Sequence, residues 1–292
     1  MGPCLLLAGG RTAVGAALLK LLANDGVCGM AVGRQPIMSL PPPWRWQQAN
    51  LEALGDTRWP QVTTLLHAAP LWLLPALLAP GVLPALQRVV AVGSTSLLTK
   101  QHSADEGERQ LSAALQQAET QAWALATTLG LALTILRPTM LYGVRPDRHL
   151  AVLARCISRL GCVPLPGPGA GLRQPLHAAD LAMAIRQSMP CPATFGRTYE
   201  LCGGETLSYR AMVERLFAAQ GRKPRILQLP PWLLRLGFAG ARLVPRYRHL
   251  RSGMLLRLEH DQTFDCRAAR EDFCFAPRPF EPAAVAWQEQ MV

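Results

Sequence analysis

Short apolar runs recur through the first half of the chain. Each is closed by small or polar residues, and most are followed by apolar residues at helical spacing. Residues 5–8 form the first run; glycines then lead into 13–22, an amphipathic stretch of good helix formers. Residues 27–32 (VCGMAV) predict a second strand, ending at Gly33-Arg34. The prolines of PPPW, residues 41–44, predict a loop. Val62–His67 and Arg88–Val92 predict further strands, the latter closed by Gly93-Ser94-Thr95-Ser96. Glu106–Leu129 predicts a long helix, with Gly130 suited to the position just past its end. Residues 131–136 (LALTIL) predict the next strand, which Arg137-Pro138 closes.

Strands alternating with helices predict an α/β fold, a doubly wound parallel sheet with helices on both faces. Ligands of such sheets lie beyond the carboxyl ends of the strands. That rule gathers Gly9 to Gly15, Gly33-Arg34, His67 to Pro70, Gly93 to Ser96 and Arg137 to Tyr142 at one edge. After Gly143 the pattern changes. Residues 164–171 (PLPGPGAG) predict a turn-rich loop, and in RQPLHAADLAMAI, Asp180 is placed as a helix N-cap.

Composition narrows the partners. The chain of 292 residues can bury a sizeable core, and 50% hydrophobic against 17% charged residues argues against disorder. A net charge of +11 and a pI near 9.8 favour an anionic partner: a dinucleotide, a nucleotide-sugar or acidic lipid. Nucleic acid is disfavoured, because the basic residues are not interleaved with aromatics as a base-stacking surface needs. The eight cysteines show no C-x-x-C pair and no Cys/His cluster, which predicts free thiols, a reducing cytoplasm and no structural metal. The apolar start, MGPCLLLAGG, lacks the basic leader of a signal sequence.

Two further stretches bear on membranes. Residues 68–86 are uncharged and long enough to suggest a span, but Pro70, Pro75, Pro80 and Pro84 break any continuous helix. A buried strand end followed by a proline-broken connection is expected there. Residues 230–258 mix Trp232, Phe238 and leucines with Arg235, Arg242, Arg246, Arg248, Arg251 and Arg257, without an acid. This composition suits either peripheral contact with an acidic membrane surface at its inner face or a lid over a substrate cleft.

The order of motifs resembles the extended and atypical short-chain dehydrogenases/reductases, near the NAD-dependent epimerase/dehydratase group. AGGRTAVG, LLHAAP, VGSTS, LRPTMLYG, LRQPLHAADLA and DFCFAPRPF follow in that family's order across most of the chain. The resemblance implies a Rossmann-type fold with a smaller C-terminal substrate-binding subdomain. Residues 1–143 would hold the dinucleotide and 144–292 mostly the substrate, with 176–202 returning to the sheet. It also implies a homodimer through a helix pair.

The family's phosphate turn, G-x-x-G-x-x-G, reads here as Gly9, Thr12 and Gly15. Gly9 suits a tight turn, Gly15 allows close helix–strand packing, and the helix N-terminus offers free N–H groups to a pyrophosphate. Gly10, Arg11 and Val14 complete this cofactor-binding stretch. Thr12 replaces the middle glycine; its side chain narrows the approach, though its hydroxyl is available to a phosphate oxygen. Arg34 stands where NAD-preferring members carry an acid for the ribose hydroxyls. A guanidinium there suits the 2′-phosphate of NADP(H), which is therefore expected ahead of NAD(H). By the same resemblance Asn50 lies near the adenine, His67, Ala68, Ala69 and Pro70 near the ribose, and Ser94 and Pro138 near the nicotinamide.

The family's chemistry uses a Tyr-x-x-x-Lys pair and a Ser/Thr at a strand end. Thr95 and Ser94 match the hydroxyl position. Glu119 matches the glutamate that follows the lysine, which places Leu115 at the lysine and Leu111 at the tyrosine. Leucine exchanges no proton, so the ordinary mechanism is unavailable. Thr139, Tyr142 and Arg173 match substrate-side positions, Arg173 as a clamp for a substrate phosphate. Three functions follow from the resemblance. One is an epimerase/dehydratase-like oxidoreductase acting on a nucleotide-sugar or other small phosphorylated substrate, with an unorthodox acid/base drawn from groups such as Lys100, His67 and His177. Another is a non-catalytic sensor or assembly subunit, as among NmrA-like regulators and a complex I accessory subunit. A third is a peripheral membrane-associated protein.

Overall fold

The computed structural model describes residues 4–37, 40–59, 61–143, 150–230 and 260–282. Its centre is a seven-stranded, all-parallel sheet. The strands are β1 (Cys4–Ala8), β2 (Gly29–Gly33), β3 (Arg45–Gln48), β4 (Val62–His67), β5 (Arg88–Val92), β6 (Ala132–Pro138) and β11 (Arg197–Leu201). They lie in the order β11-β6-β5-β4-β1-β2-β3, so the order reverses beside β1 and opens a crevice at its carboxyl end.

Both faces of this sheet are covered, as a parallel sheet requires. Along β1, Leu6 and Ala8 point into one core layer with Leu115, Ala118 and Ala122 of α4 (Glu106–Leu129). Leu5 and Leu7 point the other way, against Leu18 and Leu22 of α1 (Ala13–Asn24) and Leu181 and Ile185 of α6 (Ala178–Ser188). The two-residue period of one strand thus feeds two layers of helices.

The connection after β4 is as the prolines dictate. Leu71–Leu73 makes a 3₁₀ turn, α2 (Leu74–Leu77) a single helical turn, and the rest is irregular. Among the described residues no helix is long and apolar enough to cross a membrane. α3 (Ser96–Thr99) follows β5, and α4 ends at Gly130 with φ +65°.

Beyond β6 the chain builds a smaller part from short paired strands. β7 (Leu141–Tyr142) pairs with β10 (Leu176–His177), β8 (Val163–Pro166) with β13 (Ile226–Leu229), and β9 (Leu172–Arg173) with β12 (Leu207–Ser208). α5 (Leu150–Leu160) and α7 (Tyr209–Ala219) pack around a separate core of Ile157, Met212, Leu216 and Phe217. α8 (Arg267–Phe273) returns to the edge of the main sheet, its Phe273 packed edge-on to Tyr199.

Three expectations are corrected. Residues 164–166 of the expected loop belong to strand β8, because β13 supplies a pairing edge that lies far away in sequence. The N-cap of α6 is His177, whose Nδ1 accepts from the Ala179 N–H at 3.1 Å. Asp180 stands inside the first turn, where its carboxylate instead accepts the Arg278 backbone N–H at 3.0 Å and pairs with that guanidinium at 2.8 Å. Finally, not all cysteines are free thiols: Cys202 and Cys266 form a disulfide joining the end of β11 to the approach of α8. Both lie in an apolar region 64 residues apart, a pairing that spacing does not reveal. The stretch 230–258, read as a membrane or lid segment, falls outside the described residues except for Pro230.

Candidate functional site

A cleft of about 910 Å³ opens at the carboxyl ends of β1, β2 and β4. Its floor is the turn after β1. Gly9 sits there at φ +87°, and a Cβ on it would lie 2.4 Å from the Ala69 nitrogen. A Cβ on Gly15 would lie 2.2 Å from the Gly9 carbonyl oxygen. Only glycine lets the turn press against both the end of β4 and the first turn of α1. Thr12 is the N-cap of α1: its hydroxyl donates to the Gly9 carbonyl at 2.9 Å and accepts from the Gly15 N–H at 3.0 Å. Its hydroxyl is therefore already engaged in closing the turn.

Of the residues expected at the cofactor, Gly9, Gly10, Arg11, Thr12, Arg34, Asn50, Ala69 and Pro70 border this cleft together. Arg34 is exposed and makes no ion pair among the described residues, while Arg11 donates to Gln35. Val14, Gly15, His67 and Ala68 lie behind the lining, and Ser94 and Pro138 stand at the neighbouring strand ends. Trp46 is a lining residue that the sequence reading missed. Its indole lies 2.9 Å from where a Cβ on Gly33 would stand, so Gly33 clears a place for that ring. The signal was weak because β3, RWQQ, alternates poorly and three of its four residues are polar.

These features fit a dinucleotide. A glycine turn faces a helix N-terminus, a basic side chain stands at the end of β2, and an indole flanks the cleft.

The strand ends beyond the cleft are heavily tied. The Thr95 hydroxyl and N–H both donate to the Pro138 carbonyl, at 3.0 and 3.1 Å, while the Ser94 Oγ accepts from the Ser96 N–H at 3.1 Å. At the positions of the proton-transfer pair, Leu115 is buried in the α4-side core and Leu111 packs against it. Glu119 is buried and pairs with Arg137, whose guanidinium also reaches Glu200 at 3.2 Å. Burial works against the Arg137 charge, but the hydrogen bonds from these two carboxylates raise its pKa overall.

The substrate-side residues are engaged as well. The Thr139 hydroxyl donates to the Gln174 carbonyl. The buried Tyr142 hydroxyl donates to the Pro279 carbonyl at 3.0 Å, and its ring meets His177 and Phe280 edge-on at 5.0 and 4.9 Å. Arg173 is buried, donates to the carbonyls of Leu172 and His260 at 2.6 and 2.8 Å, and lies over the Tyr209 ring. Desolvation lowers its pKa. His177, expected as a titratable candidate, is lowered first by burial and then by Arg278. Among the described residues no group of His, Cys, Asp and Glu could hold a metal.

His67 is fully enclosed. Its Nε2 donates to the Pro70 carbonyl at 3.1 Å, and its Nδ1 has no partner among the described residues. Burial pushes its pKa down to about 4, partly offset by the Pro70 bond, so the imidazole is neutral near pH 7. The unfolded imidazole takes up a proton near 6.5, the folded one only near 4. Stability held above pH 6.5 therefore falls as the pH drops towards 4, by about 3 kcal/mol from this group. Urea unfolding followed between pH 7.5 and 4.5 is expected to show that decline, and a His67→Gln chain a much flatter one. Parallel profiles would contradict it.

No family model matches the chain. Among curated proteins, it is 31% identical over 98 residues to the mitochondrial NADH dehydrogenase [ubiquinone] 1 alpha subcomplex subunit 9 of Arabidopsis thaliana. That match covers 33% of this chain and only 24% of the relative. Solved structures match over nearly the whole length. MoeE5 in complex with UDP-glucuronic acid and NAD is 20% identical, with a TM-score of 0.71 over 99% of this chain and 100% of that one. The UDP-glucose 4-epimerase of Thermotoga maritima with UDP-glucose is 14% identical, TM-score 0.71, covering 99% of each chain. The UDP-glucuronic acid 4-epimerase of Bacillus cereus with NAD is 12% identical, TM-score 0.72, also covering 99% of each. The fold is thus the Rossmann-type α/β fold that these solved structures share.

Proposed function

We propose that this chain uses the epimerase/dehydratase fold to hold a nicotinamide dinucleotide, NADP(H) ahead of NAD(H), as a sensor or assembly subunit rather than as a catalyst. The observation that carries this reading is the pair Leu111 and Leu115, the second buried in the α4-side core and the first packed against it, where the resemblance places the tyrosine and lysine. No hydroxyl or amine stands at either place to give or take a proton.

The binding half keeps its parts. The turn at Gly9 and the first N–H groups of α1 would receive the pyrophosphate, and Arg34 the 2′-phosphate. A bound dinucleotide supplies hydride-transfer chemistry at its nicotinamide. The chain's own hydroxyls there, Thr95, Ser94 and Tyr142, are each committed to a backbone partner. The partial match to an NADH dehydrogenase subunit supports the assembly role.

Fluorescence titration with NADPH and NADH tests the reading. NADPH is expected to bind tighter, and Arg34→Asp to weaken NADPH by roughly ten- to a hundredfold while leaving NADH nearly unchanged. Equal affinities unaffected by that substitution would overturn the preference. The nucleotide-sugars bound by the structural neighbours favour a second reading, an active oxidoreductase on such a substrate. Incubation with UDP-glucose or UDP-glucuronic acid and either cofactor decides between them: product or a changed nicotinamide absorbance would reverse the order.

A further inference from the structure

We propose that one corner of the smaller C-terminal part is a docking surface for anionic lipid, built from Arg159, Leu160, Lys223, Arg225 and Leu227. It is independent of the dinucleotide reading, since none of these residues borders the cleft.

Pairing in the structure brings these residues together. β13 lies parallel to β8 with Leu227 opposite Pro164, and the Val163 N–H donates to the Arg225 carbonyl at 3.0 Å. Arg222, in the turn after α7, donates to the Ile157 carbonyl in the last turns of α5 at 2.7 Å. The end of α5, with Arg159 and Leu160, therefore meets the turn at Arg222 and Lys223 and the start of β13.

Two properties of that corner point to lipid. Its leucines face outward: Leu160 is 67% exposed and Leu227 49%, although Ile226 between Arg225 and Leu227 packs inward. Its cations are unopposed, for Arg159, Lys223 and Arg225 are exposed and have no carboxylate partner among the described residues. Elsewhere in this part, the half-buried Arg210 is matched by Glu214 and the exposed Arg215 by Glu205. The sequence adds that no Asp or Glu occurs between Glu214 and Glu259. Cations attract an anionic surface from a distance, and exposed leucines between them gain by entering the interface. An acidic protein would satisfy the cations but would not need the leucines to meet hydrocarbon.

The full chain is to be sedimented with vesicles of phosphatidylcholine alone and with phosphatidylserine added, over a range of salt. Binding is expected only with phosphatidylserine and is expected to weaken as salt rises. Each cation near such a surface contributes about fivefold, so the triple variant Arg159→Gln/Lys223→Gln/Arg225→Gln is expected to lose about a hundredfold. Leu160→Ser/Leu227→Ser is expected to lose several-fold even at low salt. The melting temperature of each variant establishes that folding is intact. Failure to bind anionic vesicles, or binding that neither variant changes, overturns the proposal. Binding to polyglutamate that is sensitive to the cations but not the leucines, without vesicle binding, would replace lipid with an acidic protein.

Discussion

Replacing Arg88 by methionine is expected to destabilise the protein by about 3–5 kcal/mol, a large share of the whole stability of an ordinary domain. Arg88 opens β5 yet is buried, and every N–H of its guanidinium has an acceptor. Nε donates to the Met189 carbonyl at 3.0 Å; Nη1 to those of Val89 and Ala132 at 3.0 and 2.7 Å; Nη2 to the Ser188 carbonyl and Thr194 hydroxyl at 2.8 and 2.9 Å. No carboxylate takes part. Two of these carbonyls lie at the carboxyl end of α6, where the helix dipole favours a cation, and the Phe195 ring lies 4.5 Å from the charge. Desolvation lowers the pKa to about 10, with smaller opposing effects from Cys191 and Tyr199, so the charge persists at neutral pH. Methionine fills the stem's volume but strands these acceptors away from water. Lysine, with one nitrogen, is expected to recover only part of the loss. Urea midpoints of the three chains measure it, and a methionine variant within about 1 kcal/mol of the parent would refute the account.

That clamp was invisible in the sequence for a definite reason. A charged residue opening RVVAV looks like an ordinary solvated strand end, and the partners at Ser188 and Thr194 are 100 and 106 residues away. Local rules found what local patterns encode. Strands Val62–His67 and Arg88–Val92 and helix Glu106–Leu129 stand at the expected residues, because apolar runs, turn residues and a glycine stop define them without tertiary help. β3 and β8 escaped because they are strands only by virtue of a neighbour's edge. Asp180 was recognised as structural but given the wrong partner. The competing acceptor, His177 Nδ1, had already capped the helix, and Arg278 comes from 98 residues further on.

The candidate site divides along the same line. Its glycine turn is local in sequence, and the spacing Gly9, Thr12, Gly15 gives a turn pressed against the end of β4 and the start of α1. The far end depends on residues from separated segments. Tyr142, placed at the substrate by its motif, also anchors the C-terminal residues through Pro279 and Phe280. Arg278 and Glu205 extend that tie, the first to Asp180 and the second to the Phe280 N–H at 2.6 Å. A motif identifies which residue is present; whether its polar atom is free depends on distant backbone that no motif contains.

The sharpest contrast is expected within the turn itself. Gly9→Ala puts a methyl group 2.4 Å from the Ala69 nitrogen and 2.5 Å from the Ala68 carbonyl carbon, at a φ of +87° that an L side chain resists. Backbone on both sides cannot yield without parting the ends of β1 and β4. A cost of about 2–3 kcal/mol follows, with dinucleotide affinity falling more than about a hundredfold as the N–H groups of α1 lose their aim. Thr12→Gly, which restores the full G-x-x-G-x-x-G spacing, removes a cap that glycine replaces at a cost of only about a few tenths of a kcal/mol. It also releases the Gly15 N–H now held by the Thr12 hydroxyl. Affinity is therefore expected to hold or rise, measured by the same NADPH titration alongside urea unfolding. If Thr12→Gly abolishes binding while the fold stays intact, the threonine hydroxyl is itself a phosphate ligand, and the departure from the glycine pattern is an adaptation of the site. If both variants bind as the parent does, the dinucleotide is not held by this turn.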